Sequence, residues 1–236
     1  PFYHKLIAPF LIPFLFAMSI GPKLKWIKSD LKNKIYLISL LTISILISFF
    51  IVKIFNTNIL INTILISSAL YLFFITLRDF FNKKYKNFAQ NTAHFGFSLL
   101  ILSILFNNLF SSEIITNLKV GETYDNSKTK IVFESINQKT EKNYKSIIAN
   151  FNITNSEGIN NNLSPELRIY NQPNITTSEA DIKTTLMKDK FIVINLVQNQ
   201  DYFNVRYQVK PFMLWIWLSV IMISLGGLVS FLQKRI

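Results

Sequence analysis

Cysteine is absent from this sequence of 236 residues. That excludes thiol redox exchange, thiolate metal sites and covalent haem attachment to a Cys-x-x-Cys-His motif of its own. There are two histidines, His4 and His94, and neither lies between 111 and 210. Histidine acid–base catalysis centred in that region is therefore excluded. Glycine is scarce, with six residues, and no Gly-rich phosphate loop, Ser/His/Asp set or metal-spaced histidine cluster is present. Acidic residues are few, 13 against 25 Lys and Arg, for a net charge of +12. Nucleic-acid binding is not the reason for that excess. Residues 111–210 hold twelve Lys/Arg and eleven Asp/Glu, so the surplus sits elsewhere, in short segments between apolar runs.

Those apolar runs dominate the rest of the chain. Half of the residues are hydrophobic, 22 of them Phe, and the mean hydropathy is +0.31. Five runs, Phe2–Ile20, Ile35–Val52, Ile59–Leu77, Asn91–Phe110 and Pro211–Leu232, approach the length of a bilayer-spanning helix. The first has no basic flank or small-residue cleavage site and does not read as a signal peptide. The chain starts at Pro1 instead of Met, as expected of a fragment, a processed product or one piece of a longer protein. Asn, Lys, Ile and Phe are abundant, a bias expected of an AT-rich genome. The sequons at Asn152, Asn162 and Asn174 are attributed to that bias.

Charge then orients the spans. Lys23, Lys25, Lys28, Lys32 and Lys34 crowd 21–34, and Arg78, Lys83, Lys84 and Lys86 crowd 78–90. Lys234 and Arg235 close the chain, while 53–58 holds only Lys53. Alternate connections are thus basic. The positive-inside rule places 21–34, 78–90 and the C-terminus inside, and 53–58 and 111–210 outside. Residues 1–110 read as a transmembrane region of four helices (about 2–20, 35–52, 59–77 and 91–110), and 211–236 as a C-terminal transmembrane helix. Residues 111–210 read as an outer β domain, since apolar and polar residues alternate in 203–209, 147–153 and 167–169. A continuous apolar run, 191–197, suits a more buried strand. The Asn-rich stretch 154–162 with Gly158 reads as a turn. The expected fold class is a membrane α-helical bundle with an inserted, mostly antiparallel β soluble domain, a small sandwich or barrel.

Pro9 and Pro13 predict a kink in the first span. Gly226 and Gly227 permit close helix approach in the last. Trp215 and Trp217, one turn into it, read as interfacial anchors.

One side chain within the spans could carry chemistry. His94 lies about one turn into the fourth span, with Gln90, Asn91, Phe97 and Ser98 on its helical face. Ionisable groups in a bilayer are costly and must face the bundle or a partner. Two readings stay open: a histidine hydrogen-bonded to a neighbouring helix, or an axial ligand of haem iron. Ala93 and Gly96 beside it leave room for a flat cofactor or for another helix. His4, near the outer face, reads as an interfacial residue in contact with headgroups and water.

Several motifs together resemble the C-terminal third of CcmF-type cytochrome c haem lyases of the system I maturation pathway. They are Phe2-Tyr3-His4 through Pro9, Pro13, Ile20-Gly21-Pro22 and Lys25-Trp26; Ala93-His94-Phe95-Gly96; Pro165-Glu166-Leu167-Arg168-Ile169-Tyr170 with Thr177-Ser178-Glu179-Ala180; and Pro211, Trp215-Ile216-Trp217 and Gly226-Gly227. The resemblance implies a part of an enzyme that assists covalent attachment of haem to apocytochrome c. It implies a membrane-embedded haem b with His94 as one axial ligand of its iron. It also implies the other haem-handling residues upstream of Pro1, so that the chain is inactive without an N-terminal portion. A haem chaperone, apocytochrome c, that N-terminal part of the lyase and other maturation subunits are the implied partners, in a bacterial or mitochondrial inner membrane. His4 stands where the family usually has Asn, and no ligand role passes to it. A non-catalytic assembly subunit whose β domain docks partners is the alternative. A transporter fits less well, because the expected spans hold no interior charge apart from His94.

Overall fold

The computed structural model describes residues 2–23, 34–55, 59–81, 88–155, 158–197 and 201–233. The chain divides into two compact units, Pro1–Leu109 with Trp215–Ile236, and Phe110–Leu214. The fold class is the expected one: apolar helices with an antiparallel β-sandwich inserted before the last of them.

The helical unit contains α1 (Phe2–Ile20), followed by a 3₁₀ turn at Gly21–Lys23, then α2 (Lys34–Ile54), α3 (Ile59–Phe81), α4 (Phe88–Phe110) and α5 (Met213–Gln233). Of these, α2 to α5 are long and apolar enough to cross a membrane. The expected breakers Pro9 and Pro13 both lie inside helix α1. Its Leu15 is wholly buried in a cluster with Val52, Ile66, Ala69, Leu70, Leu72 and Leu102, so all of the first four helices contribute. Large apolar side chains elsewhere stay exposed, such as Phe10 at 74 % and Phe50 at 66 %, as a lipid-facing surface requires. Several hydroxyls inside the bundle bond to carbonyls of their own helix. Ser19 donates to the Leu15 carbonyl at 2.7 Å and Ser44 to that of Leu40 at 2.8 Å.

Helix α3 runs one turn beyond the 59–77 span, bringing Arg78 and Asp79 into it. A charge near a span end reads as a loop, but a long arginine side chain can lie back along apolar neighbours. The Arg78 guanidinium sits 4.1 Å above the ring of Tyr36 on α2, a cation–π contact that keeps the helix going. Lys25, Lys28, Lys32, Lys83, Lys84 and Lys86, and Lys234 and Arg235, fall outside the described residues.

The second unit is a sandwich of two antiparallel sheets. One has four strands in the order β1 (Ser112–Leu118), β10 (Phe203–Pro211), β9 (Lys188–Leu196) and β8 (Asp181–Thr184). The other runs β2 (Thr123–Asp125), β3 (Thr129–Thr140), β4 (Tyr144–Asn155), β6 (Glu166–Tyr170) and β7 (Thr176–Glu179), with β5 (Asn160–Leu163) also paired to β4. The alternation in 203–209 and 147–153 and the apolar run 191–197 fall in β10, β4 and β9. The two inner faces bury Ile131, Phe133, Phe151, Ile153, Ile192, Ile194, Val205 and Tyr207. Phe133 lies directly opposite Phe151 across the strands, with ring centroids 4.4 Å apart. On the outer face Glu113 accepts from the Gln208 amide and the Arg206 guanidinium. Those donors hold its carboxyl below the usual range.

The Asn-rich turn is corrected in part. Gly158 sits at φ +73°, in keeping with a turn, but Asn160–Leu163 forms strand β5. Its asparagines pair across the strand boundary. Asn152 donates to Asn162 at 3.2 Å and Thr154 to Asn160 at 2.7 Å. Low strand propensity is offset by these side-chain bonds and by the buried Leu163.

Candidate functional site

The site is built on α4 and on the two helices packed against it. One face of α4 meets α3. Ser98 and Thr76 hydroxyls lie 2.7 Å apart, and the Asn91 amide donates to the Asp79 carbonyl at 3.0 Å. Phe95 stacks on Phe80 at 5.1 Å and lies 5.7 Å from Phe73. Interhelical hydrogen bonds and ring packing of this kind join helices where lipid gives no hydrophobic drive.

A second face of α4 meets α5, and here small residues decide the spacing. A Cβ built on Gly226 would stand 2.7 Å from the Ala93 nitrogen and 2.8 Å from the Ala89 carbonyl oxygen. A Cβ on Gly96 would stand 3.0 Å from the Ile223 nitrogen and from the Met222 Cβ. Ala93 and Gly96 could have made room for a flat cofactor or for a helix; the structure gives both to helix α5. Around Gly227 no atom lies within 4 Å of a built Cβ, so Gly226 alone of that pair makes the close approach.

His94 lies on the side of α4 that also carries Asn91 and Ser98, the two residues hydrogen-bonded to α3. Its neighbours one turn on are Phe97, edge-on to Phe14 of α1 at 6.1 Å, and Ser98. Further along, Phe97, Ile101 and Leu105 pack on the apolar cluster of the bundle. The imidazole is half-buried, and Asp79 in the last turn of α3 is the charged group whose field reaches it. Among the described residues no hydrogen bond to either ring nitrogen is found.

A haem iron asks a histidine for a neutral imidazole with an available lone pair in apolar surroundings. His94 offers that donor, and its flank of Phe97 and Phe14 is apolar and aromatic. No group of three or more His, Cys, Asp or Glu able to cage a bare metal ion occurs among the described residues. The chemistry of the donor fits a haem iron. The side chain of His4 lies outside the described residues. Trp217 is 63 % exposed on α5, as an interfacial anchor should be. Arg78 reads as an inner-loop charge in the sequence, and nothing in residue order marks Asp79 or the meeting of Thr76 with Ser98. The polar stripe His94–Ser98 was the available signal that a polar partner must face it on another helix.

Residues 109–211 match the family model described as the CcmF C-terminal beta-sandwich. The whole chain aligns with the cytochrome c-type biogenesis protein CcmF of Escherichia coli at 23 % identity over 248 residues. It aligns with the same-named protein of Haemophilus influenzae at 24 % over 254 residues. The chain spans 38 % and 39 % of the length of these relatives. A solved structure titled cytochrome c haem lyase CcmF superposes with a TM-score of 0.74 at 18 % identity, covering 97 % of this chain and 40 % of the other. At that identity the superposition speaks for the fold.

Proposed function

From a chain similar over its whole length to the C-terminal part of CcmF-type cytochrome c haem lyases, we propose one part of such a lyase, working in cytochrome c maturation. It assists the covalent attachment of haem to apocytochrome c, together with an N-terminal portion of the enzyme. It sits as a multi-pass protein in an inner membrane, with the basic connections and C-terminus inside and the β-sandwich outside. There the sandwich helps to position a haem chaperone and apocytochrome c.

His94 is the residue on which the proposal turns. Within the membrane it would hold the iron of a haem b. The observation that carries this is a half-buried imidazole on an apolar helix of bilayer length, in a chain similar to CcmF proteins. A haem b bound there would supply an electron that keeps the haem awaiting attachment reduced. The chain's own part is structural: α3 and α5 clamp α4 on two faces and so set the direction of the His94 side chain. Asp79 contributes the one nearby carboxylate field.

Co-expression of the chain with the N-terminal part of the lyase, followed by purification and a pyridine haemochrome spectrum, tests the assignment. The wild type should carry haem b and His94→Ala should lose it while still inserting and co-purifying. Equal haem b content in the two would remove His94 from the site. Co-purification with maturation partners but no haem in either would favour the non-catalytic assembly reading.

A further inference from the structure

The hairpin joining β8 to β9 ends in two exposed apolar side chains, Leu186 at 59 % and Met187 at 55 %. Thr185 closes this tip, its hydroxyl donating to the Lys188 carbonyl at 2.6 Å. In a soluble sandwich a tight hairpin tip favours Gly, Asn, Asp or Ser, and a Leu-Met pair there is unexpected.

Its place in the fold gives the pair a meaning. The Phe212 N–H donates to the Met187 carbonyl at 2.9 Å, and Pro211 lies opposite Lys188 in the strand register. Phe212 is the last residue before α5, and it adopts φ +61°, a conformation that a bulky side chain rarely takes. The end of α4 is beside it, since the Phe110 and Phe212 rings lie 6.4 Å apart. The hairpin tip is therefore hydrogen-bonded to the residue through which the chain leaves the sandwich and enters α5. Trp217 follows one turn into α5, where aromatic residues mark the headgroup region.

Charge agrees with this placement. Lys188 follows the tip, Lys210 lies opposite Asp189 on the adjoining strand, and Lys183 lies on the other arm of the hairpin. Lys183, Lys188, Lys190 and Lys210 against Asp181, Asp189 and Glu113 leave a small positive excess, which suits anionic headgroups above an apolar insertion.

We propose that the Leu186–Met187 tip is a lipid anchor: it inserts into the headgroup–acyl boundary and ties the sandwich to the membrane surface beside the start of α5. This needs no haem and stands apart from the role given to His94.

The absence of cysteine makes the test direct. Single variants Met187→Cys, Leu196→Cys and Leu228→Cys of the full chain are labelled with a small bimane probe. They are reconstituted in phosphatidylcholine–phosphatidylglycerol vesicles containing nitroxide-labelled lipid. Leu228 lies well inside α5 and reports insertion. Leu196 is exposed at the far end of β9, on the order of 30 Å along the strand from the tip. The anchor predicts quenching at 187 approaching that at 228, and at 196 only that of a probe in buffer. It also predicts deeper quenching at 187 as the anionic share rises. With 228 quenched, a probe at 187 that behaves like the one at 196 overturns the anchor and leaves the tip to a protein partner. Leu186→Cys repeats the measurement with Met187 intact. Quenching at 187 that ignores anionic lipid overturns the part given to the lysines.

Discussion

Replacing Gly226 by alanine tests the α4–α5 packing that orients His94. The added methyl would lie 2.7 Å from the Ala93 nitrogen and 2.8 Å from the Ala89 oxygen and the Ala93 Cβ. Non-bonded heavy atoms prefer about 3.5–4.0 Å, so the helices must part by roughly 1 Å. Two of the three obstacles are α4 backbone atoms that cannot rotate aside. Overpacking of this kind costs about 1–3 kcal/mol. Gly227→Ala is the internal control, because its methyl meets nothing within 4 Å and its change should stay within about 0.5 kcal/mol. Both substitutions carry the same change in intrinsic helix propensity, so their difference isolates the packing. Reversible unfolding of the reconstituted chain in mixed micelles, with rising dodecyl sulfate, measures both. Gly96→Ala should fall between them, its nearest atoms being 3.0 Å away. A Gly227→Ala cost equal to that of Gly226→Ala would refute the assigned crossing.

Two further predictions concern the sandwich. Phe133→Ala removes a wholly buried ring stacked on Phe151 and should cost about 3–5 kcal/mol in chemical denaturation of the full chain followed through the sandwich. Tyr207 is 2 % exposed, its hydroxyl has no hydrogen-bond partner among the described residues, and burial pushes its pKa up to about 12 from 10. Folding thus favours the neutral phenol. That stability is complete below pH 10 and is lost as pH rises from 10 through 12. The loss is on the order of 2–3 kcal/mol. Tyr207→Phe should abolish that part of the alkaline slope without lowering stability at neutral pH. An unchanged slope would show that other groups produce it.

Much of the architecture could be read from residue order alone. Runs of about twenty apolar residues must leave water and satisfy their own backbone, and a helix is the local way to do so. Alternation in 203–209 and 147–153 similarly marked β10 and β4, whose inner residues fill the sandwich core. Weakly patterned segments escaped: β5 is written in asparagines, and its strand depends on Asn152 and Thr154 of a neighbouring strand. Arg78 and Asp79 read as loop because a charge looks like the end of a span, until the Tyr36 ring on α2 is seen beneath the guanidinium.

The same division holds for the site. That His94 is an ionisable side chain within an apolar helix follows from the sequence, because bilayer length and helical rise are local quantities. Which of its small neighbours faces what does not follow. Ala93 and Gly96 were equally suited to a cofactor or a helix, and only the approach of Gly226, Met222 and Ile223 from a segment over 120 residues further along assigned them to a helix. One-dimensional hydrophobicity says that a segment leaves water. Which neighbour it then meets is set by three-dimensional packing, and that packing put Asn91 and Ser98, on the side of α4 that carries His94, against α3.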